Sequence, residues 1–361
     1  MNSSEKTRFD ALTGLRWFAA LAVIFRHNRP PGDSMFSTFF ENGYSGVTVF
    51  FVLSGFVLTV RYFNEFQHPT RDLLRGYFFA RLARIYPSYL LVILIVGLID
   101  GFPRASTFVQ HLLMVQTWSS DSDVAYALNG PGWSIGVEAF LYLVFPVIAV
   151  LLGRSRNMRT TAGISAVVVF MLMAAITIYF SISSNAHLAE TDKNSAWRWI
   201  YRNPAFRLGD FVLGMSLGVF VLRREVKAAT NWIPATIATL SFLSIVIAMA
   251  NRPTLNSALS MDLLYSIPTI GLIYGLACPG KHLIKRFLEK PLIQWLGEIS
   301  FAAYLVHVPI GQKLRQFLGS RFEIGHWSVT FILVLISTVV AASALHYIFE
   351  RPLRSIIRRL A

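Results

Sequence analysis

Apolar runs of roughly 17 to 25 residues, the length that crosses a bilayer as a helix, recur along the chain between short polar segments. Ten are read, at 10–27, 44–62, 78–99, 132–152, 160–182, 206–222, 231–250, 259–277, 297–317 and 327–349. A shorter apolar stretch near 107–117 falls below spanning length and is expected to be re-entrant or interfacial. The pattern predicts an all-α polytopic membrane protein of about ten transmembrane helices. It is read as a single membrane domain over 1–361, with no soluble domain appended.

Composition agrees with the pattern. Of 361 residues 54% are hydrophobic and 14% charged, with a mean hydropathy of +0.52, too apolar for a soluble chain of this length. The net charge of +14 would point a soluble protein toward nucleic acid. Here its placement decides otherwise. With the N-terminus inside, 21 of the 33 lysines and arginines fall on the inner side, including Lys6, Arg8, Arg223, Arg224, Lys227, Lys281 and the Arg351–Arg359 cluster. Both termini are therefore expected to be cytoplasmic, with membrane lipids rather than nucleic acid as the surroundings. The first run could imitate a secretory signal, but Arg16 splits it and it ends in Arg26, His27, Asn28 and Arg29, so it is read as the first membrane helix. The single cysteine, Cys278, excludes intrachain disulfides and multi-cysteine metal sites, and the histidines are too scattered to predict a metal.

Ionisable side chains inside apolar helices are costly, so they mark pathways or sites. In "LTGLRWFAALAVIFRHNRP", Arg16 and His27 are 11 apart and return to the same helix face within about 20°, separated by about 16 Å along the axis. Arg16 falls toward the cytoplasmic half and His27 toward the outer surface, a pair spread along a channel. A blander reading has Arg16 snorkelling or paired with a carboxylate, and His27 merely interfacial. In "GPGWSIGVEAFLYLVFP", Ser134 and Glu138 share a face, and Glu138, at a depth comparable to His27, is expected to orient it as a general base; the alternative is an interhelical hydrogen bond. In "YFFARLARIYPSY", Arg81 and Arg84 form a fork suited to phosphate, or anchor the helix as inner positive charges. Arg207 and Asp210 are a self-neutralising i, i+3 pair, while Ser300, Tyr304 and His307 share one face of the ninth run. Gly46, Ser54, Gly55, Gly214 and Gly218 read as packing positions.

Seven segments in order, "LTGLRWFAALAVIFRH", "GVTVFFVLSGF", "RLARIYP", "WSIGVEAFLYLVFP", "RLGDFVLGM", "GEISFAAYLVHVP" and "FERPLR", resemble the bacterial acyltransferase 3 family of integral membrane O-acyltransferases. The resemblance runs from residue 12 to 354. It implies a ten-helix domain in the bacterial inner (plasma) membrane that takes an acyl group, often acetyl, from cytoplasmic acyl-CoA. The acceptor it implies is a hydroxyl, commonly on an extracytoplasmic glycan. Carried onto this chain, it makes His27 the catalytic histidine, as base or acyl carrier, with Arg16 its motif partner. Arg81 and Arg84 become ligands of the CoA phosphates, and Glu138 matches the family's glutamate after Trp-Ser. Ser134, Arg207, Asp210, Tyr304 and His307 are candidate substrate or supporting residues. The acceptor stays open between a glycan, a lipid-linked sugar and a small secondary metabolite such as a macrolide, reached directly or through a separate extracytoplasmic acyl-delivery protein. A transporter or flippase using the same polar column is the alternative from another class.

Overall fold

The computed structural model describes residues 9–183, 185, 188–222, 232–251, 257–280, 282–321 and 327–359. Lys6, Arg8, Arg223, Arg224, Lys227 and Lys281, counted above among the inner charges, lie outside these residues, as does position 231 of the seventh predicted run.

Among the described residues every regular element is helical. The long ones are α1 (Asp10–His27), α2 (Ser45–Tyr62), α3 (Arg71–Asp100), α4 (Trp133–Gly153), α5 (Met158–Ile182), α6 (Pro204–Leu222), α7 (Trp232–Ala250), α8 (Leu263–Ala277), α9 (Pro291–Arg321) and α10 (Trp327–Ala344). A π-helical turn, Leu345–Glu350, joins α10 to the basic α11 (Arg351–Arg359). Eight segments, containing α2 to α8 and α10, are long and apolar enough to cross a membrane. The stretch near 107–117 forms a short helix, Ala105–Leu112, and a 3-10 turn, Gln116–Trp118.

The remaining two long helices, α1 and α9, carry the polar groups: Asp10, Arg16, Arg26 and His27 on one, Gln294, Glu298, His307 and Lys313 on the other. They pack against each other. That pairing is what lipid imposes, since side chains that cannot face hydrocarbon must face another helix or a wet cavity. Around them the burial is graded. The Met35–Tyr62 segment is 78% buried, whereas Met158–Ile182 and Trp327–Ile357 are 17% buried, which puts α2 in the centre and α5 and α10 at the lipid.

Helix ends follow local chemistry. Thr70 starts α3 by accepting from Leu73 N–H at 3.2 Å, and Gly101, in the left-handed region at φ 94°, ends it. At the centre, α2 and α6 cross in backbone contact: a Cβ on Gly214 would lie 1.9 Å from Val52 O, and one on Gly55 2.1 Å from Phe211 O. Without a hydrophobic drive between helices in lipid, such close approach is the main source of packing attraction.

Candidate active site

His27 is the last residue of α1 and is exposed, whereas His307, on α9, is fully buried. Their rings meet: His307 Nε2 lies 3.1 Å from His27 Nδ1. Two carbonyl oxygens assign the tautomers, because a carbonyl only accepts. Tyr304 O lies 2.7 Å from His307 Nδ1, and Val23 O lies 3.0 Å from His27 Nδ1. Each Nδ1 therefore carries a proton. His307 Nε2 is then an acceptor for His27 N–H, and His27 Nε2 keeps its lone pair. A histidine held in that tautomer is ready to take a proton from a hydroxyl.

The end of α1 is clamped by the next residue. Asn28 Nδ2 donates to Ile24 O at 2.8 Å, its Oδ1 accepts from Arg315 at 2.6 Å, and its carbonyl accepts from Trp327 Nε1 at 2.8 Å. The orphan carbonyls of a helix end are thus tied, and His27 with them.

His27 lines a cavity of about 600 Å³, called outer after the expected topology, with Arg26, Tyr126, Trp133, Glu190, Trp197, Tyr201 and Tyr304 among its walls. Aromatic faces interspersed with a few polar groups are the usual lining of a small-molecule site. Tyr126 donates to Glu190 at 3.2 Å, and Arg26 lies 3.8 Å from the same carboxylate and 5.7 Å over the Trp197 ring.

A second, smaller cavity of about 140 Å³, called inner after the expected topology, meets it at Tyr304. Arg16, Arg81, Arg84, Ser134, Glu138, Tyr142 and Tyr304 line it with Phe50 and Phe51. Arg81 is set among Tyr62, Tyr77 and Tyr142, with the guanidinium 5.5, 5.9 and 5.6 Å from the ring centroids, and Tyr142 donates to Glu138. A third cavity, of about 370 Å³, shares Arg16 and Arg84 with the second and adds Glu298, His346, Glu350, Arg351 and Arg354. Glu350 is bonded to His346 at 3.0 Å and to Arg354. Three spaces thus follow one another, the first junction at Tyr304 and the second at Arg16 and Arg84.

This geometry groups Arg16, Arg81, Arg84, Ser134 and Glu138 around the inner cavity, and His27 with His307 at the outer one. One expectation changes. Glu138 is bonded to Tyr142 and does not line the cavity of His27; the hydrogen-bond partner of His27 from another helix is His307. Span position gave Glu138 a comparable depth, but depth alone does not fix which way a helix face turns. Arg207 and Asp210 line none of the three cavities. They are fully buried 2.9 Å apart, joined by Asp262, which Arg207 and Thr48 also bond, and by Ser266, 3.0 Å from Asp210. These bonds tie α2, α6 and the start of α8, and they are those of the self-neutralising pair read from the i, i+3 spacing. Asp262 escaped sequence reading because it is 55 residues from Arg207. The tie of Asn28 to Arg315 and Trp327 escaped it for the same reason. His346, Glu350 and Arg351 lay within or beside the "FERPLR" segment, which was the available signal. The arginines of the inner and third cavities suit phosphate groups, and no cluster of metal-ligating side chains occurs among the described residues.

A family model described as an acyltransferase domain matches residues 9–347. The acyltransferase MdmB of Streptomyces mycarofaciens is 29% identical, over 98% of this chain and 93% of its own length. The O-acetyltransferase OatA of Staphylococcus aureus is 24% identical, over 95% of this chain. The chain spans only 57% of OatA. No solved structure matches.

Proposed function

The chain belongs to the acyltransferase 3 family of membrane acyltransferases, and from that premise we propose that it moves an acyl group, acetyl first, from cytoplasmic acyl-CoA to a hydroxyl at the outer cavity. The acceptor is a glycan, lipid-linked sugar or other small hydroxyl compound. The carrying observation is the His27–His307 contact, which together with the Val23 carbonyl occupies Nδ1 of His27 and leaves Nε2 as its unprotonated nitrogen.

In this reading all ten long helices span the bacterial plasma membrane as one domain, with both termini cytoplasmic. The donor's phosphates meet Arg84 and Arg81, and the thioester is brought past Arg16 toward Tyr304. His27 Nε2 removes the acceptor's hydroxyl proton while the oxygen attacks the thioester carbonyl. The C–S bond then breaks, and His27 returns the proton to the departing thiolate, giving an ester and free CoA. During the step the imidazolium shares its Nδ1 proton with His307, whose burial keeps that bond from exchanging with water.

The test is mass spectrometry of surface glycans and of small-molecule extracts from cells expressing the wild type or His27→Ala. An acyl mass gain seen only with the wild type supports the reading and identifies the acceptor. Equal turnover by an inserted His27→Ala protein overturns the role of His27.

A further inference from the structure

Tyr304 is the one side chain that lines both the inner cavity, with the arginines, and the outer cavity, with His27. It is 5% exposed. Its hydroxyl lies 2.8 Å from Ser134 Oγ, and Ser134 in turn donates to Pro131 O at 2.9 Å. Ser134 lines the inner cavity and Pro131 the outer one, so this short chain of hydrogen bonds runs along their boundary. Phe50 stands edge-on to the Tyr304 ring from the inner side, at 5.8 Å between centroids. The start of α4 is divided in the same way, with Trp133 facing outward and Ser134 inward.

From this arrangement we infer that Tyr304, held by Ser134, is a partition between the donor and acceptor cavities, and that it sets the size of the acyl group presented to His27. The inference rests on the acyl-transfer reading for its second half only. The inner cavity is narrow, at about 140 Å³, and ends on a phenol ring rather than on a flexible chain. A short acyl group is accommodated by a small shift of that ring, whereas each further methylene meets Phe50 and the Tyr304 ring itself. Steric exclusion of this kind discriminates by roughly 10- to 200-fold per methylene. The backbone carbonyl of Tyr304 also accepts from His307 at 2.7 Å, so the partition and the support of His27 are built from one residue.

Two measurements test the two halves separately. The first needs no donor: Ser54, on the inner cavity, is changed to Cys in a Cys278→Ser background. An impermeant methanethiosulfonate reagent is then added to sealed vesicles on the face where the His27 cavity opens. Labelling should be absent with Tyr304 in place and appear with Tyr304→Ala; equal labelling in both overturns the partition. The second compares release of CoA thiol from acetyl-, butyryl- and hexanoyl-CoA by purified protein. Tyr304→Ala should raise the butyryl-to-acetyl rate ratio by about tenfold or more and speed hydrolysis without acceptor. Tyr304→Phe, which keeps the ring, should hold the acetyl preference and guards against a merely unfolded variant. An unchanged ratio in a Tyr304→Ala protein that passes the labelling test overturns size control. A wild type inert toward all three thioesters overturns the donor assignment, and with it size control, while the partition stands or falls on the labelling alone.

Discussion

His307 Nε2 stands 3.1 Å from His27 Nδ1 across the contact of α9 with α1. One histidine is fully buried and the other exposed, and in the proposed reaction the first positions the second. Changing His307 to Ala should lower kcat for acyl transfer by about 10²-fold, the loss typical of a reacting group displaced by an ångström, with the donor KM little changed. His307→Gln, whose amide oxygen still accepts from His27, should recover part of the loss. Steady-state kinetics of the two variants side by side provide the check.

Asn28→Ala removes the bonds to Ile24 O and to Arg315 together. A lost charged hydrogen bond in a partly buried site costs about 1.5–3 kcal/mol. The expected result is a loosened α1 terminus, seen as faster hydrogen exchange at residues 24–28, together with a kcat reduced without loss of donor binding.

Arg84 borders both inward cavities. Arg84→Ala should raise KM for acetyl-CoA by about tenfold, the loss of one charge-assisted contact. It should leave KM for acetyl-pantetheine, which lacks the nucleotide phosphates, unchanged. Parallel titrations with both thioesters decide it.

Arg207→Ala leaves Asp210 and Asp262 buried without their cation. Removing one member of a buried ion cluster is expected to cost about 3–5 kcal/mol, read as a lower unfolding temperature in detergent. Because Arg207 lines none of the three cavities, the protein that remains folded should keep a near-normal KM.

In the segment between α3 and α4, His111 is buried, donates from Nε2 to Val124 O at 2.9 Å and accepts at Nδ1 from Tyr89 OH at 3.2 Å. Burial holds its pKa below the ordinary value of 6.5, outweighing the bond to Val124. A depressed folded pKa means that the unfolded loop binds the proton first. The stabilising contribution is therefore whole above about 6.5 and is lost as pH falls through the lower folded value. Limited proteolysis of residues 105–129 should rise with acidity over that window, and His111→Gln should flatten the response.

Much of this was legible in the residues. The 11-residue spacing of Arg16 and His27 put them on one helix face, and the structure has them opening onto successive cavities. The i, i+3 step from Tyr304 to His307 was equally plain. What a linear reading could not supply was rotation of one helix against another, which set Glu138 on a different cavity from His27 and brought His307 to His27. It also could not supply closure over distance, as in the meeting of Asn28 with Arg315 and of Arg207 with Asp262.

The narrowing at Tyr304 bears on what such a molecule exports. A passage that ends on a phenol ring has no room for a nucleotide carrier. On the proposed reading, the carrier is loaded and released on one face without ever leaving it, and only a carbonyl carbon with a short alkyl stub passes the ring.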